Sequence, residues 1–169
     1  SLPMKARALR IGGLAAGMAV AALLVTAFRV PAESGALGAG VRLIAAAPGE
    51  LEASPSGTLL SARRLLPGRS AESTVRLRNV TGSDLRVRLR GLPAGRDLDR
   101  IVRLELRGPG GRPLARGPLG RFRHWTPPFR LRRAESTRLS ARVWIPTSVR
   151  TGFEGRDVDV TVEMRARPR

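Results

Sequence analysis

Residues 66–91 read LPGRSAESTVRLRNVTGSDLRVRLRG, and this stretch decides the fold class. The apolar side chains of Val75, Leu77, Leu85, Val87 and Leu89 alternate with Arg76, Arg78, Arg86, Arg88 and Arg90. A period of two belongs to a β-strand with one buried and one solvated face. Thr81-Gly82-Ser83-Asp84 between the two runs is turn chemistry, so the pattern predicts strands at 73–79 and 85–90 joined as a hairpin. In a hairpin Arg76 and Arg78 come near Arg86 and Arg88, and like charges directly opposite each other destabilise a strand pair. Either the acidic row Asp157, Asp159 and Glu163 lies close by, or an external polyanion neutralises the face.

Outward from this stretch the alternation recurs. Val102, Leu104 and Leu106 share a face at 101–107, Leu139, Ala141, Val143 and Ile145 at 138–145, and Val158, Val160, Val162 and Met164 at 156–165. Shorter β-capable runs stand at 41–47 and 58–66. Residues 48–57 (PGELEASPSG) read as a turn-rich connector, and 108–120 (GPGGRPLARGPLG) as a turn cluster with at most a two-residue strand. No stretch beyond residue 32 keeps a 3.6-residue apolar period over three turns. About seven or eight short antiparallel strands at this spacing indicate an all-β chain, a jelly-roll or Greek-key β-sandwich. Burial of each inward Val or Leu is worth ~1.5–3 kcal/mol, enough for a cooperative core.

The chain has 169 residues, 31 Lys plus Arg against 13 Asp plus Glu, and a formal charge of +18. It has no cysteine, which excludes a disulfide framework and thiolate metal sites. Lys5 is its single lysine; with abundant Ala, Gly and Pro, this composition points to a G- and C-rich genome. Codon usage then explains arginine over lysine, but not the density of arginine on one strand face.

At the start, Lys5, Arg7 and Arg10 precede an uncharged run from Ile11 to Phe28, after a plausible initiator at Met4. Val30-Pro31-Ala32 offers a signal-peptidase site that makes Glu33 the first mature residue. The expectation is an N-terminal hydrophobic signal helix at 1–32, cleaved between Ala32 and Glu33, with a retained anchor as the minority reading. Residues 33–57 then form a flexible leader with a first strand and connector, and 58–169 the sandwich body. Secretion, or display at the cell surface, follows from that reading.

Several segments together resemble the TasA/camelysin-type secreted proteins. Leu66-Pro67-Gly68-Arg69-Ser70, then Val75 to Ser83, is similar to that family's "L-x-P-G-[DE]-S … N-x-G-S" segment. Arg133-Ala134-Glu135-Ser136-Thr137 stands where the family has Pro-Gly-Glu-Ser. Val143-Trp144-Ile145-Pro146 resembles its "V-x-L-P", and Thr151-Gly152-Phe153-Glu154-Gly155 its "N-x-Y-Q-G". Ala134 replaces a usual Gly, and Thr151 a usual Asn. The resemblance spans about residues 40–164 and implies an eight-stranded jelly-roll, secretion and, for some members, assembly into biofilm fibres. Fibres of that type imply donor-strand exchange, for which Val41, Leu43 and Ala45 are the candidate donor residues.

Zinc-peptidase activity, proposed for some relatives of that kind, finds no ligand set here. His124 is the only histidine, and a zinc peptidase needs two or three with a Glu base. The aspartate pairs Asp157/Asp159 and Asp97/Asp99 are short of the six or more oxygens that a hard cation gathers. Asn79-Val80-Thr81 fits a glycosylation sequon, but the following Gly-Ser favours a turn. Arginine interleaved with Phe122, Trp125 and Phe129 has the composition of a single-strand nucleic-acid platform, although the signal segment argues against that ligand. The sequence therefore predicts no enzyme, cofactor, metal or small-molecule substrate. It predicts a secreted structural protein of the extracellular matrix or cell surface, forming a homo-oligomer or fibre by N-terminal donor-strand exchange. The alternative is a monomeric polyanion-binding module that uses Arg76, Arg78, Arg86, Arg88 and Arg90. Cell-wall polymer, acidic polysaccharide and extracellular DNA are the anionic partners considered.

Overall fold

A computed structural model describes residues 38–94 and 97–169. The signal segment and its cleavage point at Ala32 and Glu33 lie outside the described residues. Ten strands run through the described chain: β1 (Ala39–Ala46), β2 (Leu51–Ser54), β3 (Thr58–Leu65), β4 (Ser70–Asn79), β5 (Leu85–Ala94), β6 (Arg103–Arg107), β7 (Pro113–Pro118), β8 (Phe129–Leu131), β9 (Ser136–Trp144) and β10 (Asp157–Pro168). Short 3-10 turns occupy Pro109–Gly111 and Leu119–Arg123. The strands form two five-stranded sheets, sheet A in the order β3-β1-β10-β5-β8 and sheet B in the order β2-β4-β9-β6-β7.

The all-β class and the two-sheet sandwich follow the sequence pattern. Inward residues of both sheets share one core: Val41, Leu43, Val87, Leu89, Val160 and Val162 from sheet A meet Val75, Leu77, Leu104, Leu106, Leu139 and Val143 from sheet B. Three details differ from the sequence reading. Residues 51–54, expected in a connector, pair with β4, Leu51 opposite Asn79 and Ser54 opposite Arg76. Residues 113–118, expected in a turn cluster, form a full strand beside β6. The third correction matters most, because β4 and β5 are not a hairpin. β4 runs antiparallel to β9 in sheet B, and β5 antiparallel to β10 in sheet A.

The link between them is an arch across the sandwich, and Asn79 builds it. This side chain is fully buried at the end of β4. Its Nδ2 donates to the carbonyls of Ser83 at 2.7 Å, Arg132 at 2.9 Å and Leu131 at 3.2 Å. Its Oδ1 accepts from the Thr81 amide at 2.9 Å and the Thr81 hydroxyl at 2.7 Å. Its backbone amide donates to Glu135 O at 2.9 Å. A buried amide with all its hydrogen-bonding capacity used specifies local geometry. Here it fixes the turn that carries the chain from one sheet to the other.

β1 is a structural strand of sheet A, paired antiparallel with β3 and parallel with β10. The donor candidates Val41 and Leu43 are buried in the core, and Ala45 packs against it.

Candidate polyanion-binding site

Because β4 and β5 part company, the predicted arginine face is divided. Arg76 and Arg78 project from the outer face of sheet B; Arg86, Arg88 and Arg90 project from the outer face of sheet A, with the core between them.

On sheet A the deciding neighbour is β10, whose outward residues change sign along the strand. Asp159 is opposite Arg42 of β1, and the two form a bidentate ion pair, Nε–Oδ1 3.0 Å and Nη2–Oδ2 2.5 Å. The Arg42 guanidinium holds the Asp159 carboxyl below the usual carboxylate range. Glu163 is opposite Arg90 and accepts from its Nε at 2.7 Å. Beyond that point the acids stop. Arg165 is opposite Arg88, and Arg167 is opposite Arg86. Arg86 in turn is opposite Arg130 of β8, which bonds Asp84. The expected acidic row thus neutralises Arg90 and leaves its neighbours bare. Among the described residues no carboxylate pairs with Arg86, Arg88, Arg165 or Arg167.

Trp125 completes this patch, and its placement is built by backbone. β8 covers only the start of β5, so the edge of β5 beyond Val87 is open to another partner. Thr126 takes it: the Leu89 amide donates to Thr126 Oγ1 at 3.0 Å, and the Thr126 amide donates to Leu89 O at 2.8 Å. On the core side Phe122 lies against Gly91, where an added Cβ would be 2.0 Å from Phe122 Cδ1. Held at both points, the loop sets Trp125 over the outer face. The Arg90 and Arg165 guanidinium carbons stand 4.6 and 4.5 Å from its ring centroid. This distance is cation–π range, which holds a guanidinium in place without neutralising it. Arg86, Arg88, Trp125, Arg165 and Arg167 line a cleft of about 240 Å³.

Sequence reasoning found Arg86 and Arg88, weighed Trp125 only within a single-strand nucleic-acid platform, and missed Arg165 and Arg167. Arg165 and Arg167 continue the alternation of β10 in the sequence (MRARPR), which is the available signal. Register with β5 gives them their meaning, and register is a tertiary fact. Sheet B carries a second arginine group, with Arg76 opposite Arg138 and Arg78 between Glu52 and Ser136.

The other sequence candidates are accounted for differently. Asp99 pairs with Arg123 at 3.0 Å and Asp97 with Arg156 at 3.5 Å, so these aspartates serve arginines. Among the described residues no three His, Asp or Glu side chains gather into a metal-binding group. Asn79, the sequon residue, has its amide enclosed in the arch. No model of a known protein family matches the chain, and no curated protein sequence matches it.

Proposed function

We propose that this chain is a non-enzymatic binding module that holds an acidic polysaccharide against the outer face of sheet A. One observation carries the reading: Arg86, Arg88, Arg165 and Arg167 face one another uncompensated around Trp125. Facing like charges cost stability, and a linear polyanion removes that cost. Guanidinium forks match carboxylate and sulfate groups in bidentate geometry. The backbone positions that carry these guanidiniums are ~6.6 Å apart along one strand and ~4.8 Å apart between adjacent strands, a two-dimensional array suited to a repeating anion. Trp125 is half-buried with Arg90 and Arg165 against its ring; the part of the indole they leave uncovered offers an apolar surface to the C–H side of a pyranose ring, which favours a polysaccharide over other polyanions. Secretion through the segment before Glu33, a jelly-roll strand order and kinship with TasA/camelysin-type proteins are parts of the same proposal.

The test is a titration of the full chain against polygalacturonate and against single-stranded DNA, in increasing salt. Binding to polygalacturonate should weaken steeply with salt, as counterion release requires. It should fall at least about ten-fold when Arg86, Arg88, Arg165 and Arg167 are all changed to Glu, and be weakened by Trp125→Ala. Unchanged binding by the fourfold variant refutes the site; tighter binding to DNA than to polygalacturonate refutes the polysaccharide.

A second reading concerns assembly, and the position of β1 favours it. This N-terminal strand fills a slot between β3 and β10, with backbone pairing on both sides. A slot of that kind accepts a strand from the same chain or from a neighbour, and strand addition draws its affinity from main-chain hydrogen bonds. A chain lacking residues 1–47 should then form no fibres. Fibres from it, seen by electron microscopy, refute exchange through β1.

A further inference from the structure

Placing β4 and β5 in different sheets has a functional consequence. Sheet B carries its own uncompensated arginines on the opposite side of the sandwich. Arg76 and Arg138 face each other across β4 and β9, with Arg78 one position along. Among the described residues none of the three forms an ion pair. A tryptophan also stands on this face, at the other end of β9 from Arg138. Trp144, at the end of β9, has Arg142 and Arg116 at 5.5 and 5.9 Å from its ring centroid. Of the acids on this face, Glu72 pairs with Arg142 at 3.2 Å and Glu105 with Arg107 at 2.8 Å, while Glu52 is opposite Arg78, so Arg76 and Arg138 are the two arginines with no acid opposite.

We infer that the sandwich is bivalent, and that a single copy bridges two separate chains of acidic polysaccharide, one on each outer face. This inference rests on the binding function proposed above. Packed sheets stand ~10 Å apart, with the arginines pointing away from each other. A polymer segment lying along Arg86, Arg88, Arg165 and Arg167 therefore cannot touch Arg76, Arg78 or Arg138. The apolar core between the faces holds them at a fixed distance, and no second copy of the chain is needed. Charge complementarity selects the same class of ligand on both sides. Polymer cross-linking then follows from the fold alone.

A two-step capture experiment tests this. Polygalacturonate is immobilised, the full chain is bound to it, and a fluorescently labelled soluble polygalacturonate is added. Sedimentation of the free protein in parallel reads its oligomeric state. The wild-type chain should capture the labelled polymer as a monomer. The triple variant Arg76→Glu, Arg78→Glu, Arg138→Glu should still bind the immobilised polymer but capture about ten-fold less of the second, since simultaneous engagement is lost. The fourfold variant on sheet A should show the converse, holding polymer through sheet B only and again failing to bridge. Wild-type protein that binds the first polymer and never captures the second overturns bivalency while leaving the binding function intact. Capture that survives either single-face variant, or that appears only with a dimer, overturns it also. Failure of the wild-type chain to bind any polygalacturonate removes the binding function, and this inference with it.

Discussion

Arg88→Glu should make the protein more stable and a poorer binder at once. Arg88 faces Arg165 across the β5–β10 ladder, and neither has a carboxylate partner. Two unit charges about 5 Å apart in water-like surroundings repel by ~0.8 kcal/mol. Reversing one converts this to an attraction of similar size, a swing of at most ~1.6 kcal/mol. Ordering the two side chains and salt screening reduce it, and cross-strand charge pairs contribute ~0.2–1 kcal/mol each. A gain of ~0.5–1.5 kcal/mol is therefore expected. At ~3–5 °C per kcal/mol for a domain of this size, Tm rises by a few degrees.

Urea and thermal unfolding, followed by circular dichroism, read the gain, and calorimetric titration with polygalacturonate reads the loss. The gain should shrink in 1 M salt, where the screening length falls to ~3 Å. Arg112→Glu is the control: it makes the same change in net charge in the turn before β7, where no arginine is opposite. It should have the smaller effect on both measurements. Affinity of Arg88→Glu should fall at least about ten-fold, equivalent to ~1.4 kcal/mol. A variant less stable than wild type shows that the facing arginines do not repel. One that is stabilised with binding unchanged shows that the repulsion serves no ligand.

Asn79→Ala strips donors from three carbonyls and an acceptor from Thr81, and should destabilise by roughly 2 kcal/mol or more, since it removes five hydrogen bonds worth ~0.5–1.5 kcal/mol each; a loss under 1 kcal/mol in urea melts refutes its role as the arch staple. Gly91→Ala drives a methyl into Phe122 and should cost ~1–3 kcal/mol, with altered Trp125 fluorescence as the loop shifts. Unchanged fluorescence and stability would mean that Phe122 does not anchor the loop. Ala134 has φ of 57°, a left-handed conformation that costs a residue with a Cβ ~1–2 kcal/mol, so Ala134→Gly should stabilise by up to ~1 kcal/mol after the entropy of the unfolded glycine is counted; a drop in Tm contradicts this. In acid, Asp84, held low by Arg130 and the Arg133 amide, and Asp159, held low by Arg42, bind protons more weakly folded than unfolded. Their contribution is complete above the ordinary carboxylate range and is lost as pH falls through the lowered folded values, so unfolding midpoints should decline below about pH 4. Midpoints that stay flat down to pH 2 refute that linkage.

The period-two pattern made the strands and their inward faces legible. Val75, Leu77, Leu85, Val87 and Leu89 are all buried, as alternation alone requires. It could not reveal partners, because a hairpin and an inter-sheet arch place the same residues inward. Partner choice came from competition: β4 pairs with β9, and β5 with β10, along nearly their whole lengths. Asn79 was read as a turn residue, and its burial depends on carbonyls of Leu131 and Arg132 far along the chain. The short strands β2, β7 and β8 were hidden by Pro and Gly. β2 and β7 are sheet edges, where Pro is tolerated because one side of the strand needs no ladder bond. For the site, two arginines of the sheet A patch and the tryptophan were visible in the sequence as separate features; register added Arg165 and Arg167, and the Thr126 and Phe122 contacts brought Trp125 to them.

A high arginine content from codon usage predicts excess charge everywhere and compensation nowhere in particular. The structure has a different distribution. Asp84, Asp97, Asp99, Asp159, Glu72, Glu105 and Glu163, more than half of the described acids, each sit within ion-pair distance of an arginine, so most acids are placed where they neutralise. β10 makes the point within one strand. Asp159 and Glu163 are matched to Arg42 and Arg90, and then Arg165 and Arg167 are set against Arg88 and Arg86. One glutamate at position 165 or 167 would have relieved two strands of their repulsion. A loop anchored at Thr126 and Phe122 instead brings a tryptophan to the bare end of the strand, and an indole orders guanidiniums while leaving their charge available. Sequence bias supplies the arginines. It does not explain why compensation stops where the tryptophan begins, and the polyanion proposed above would.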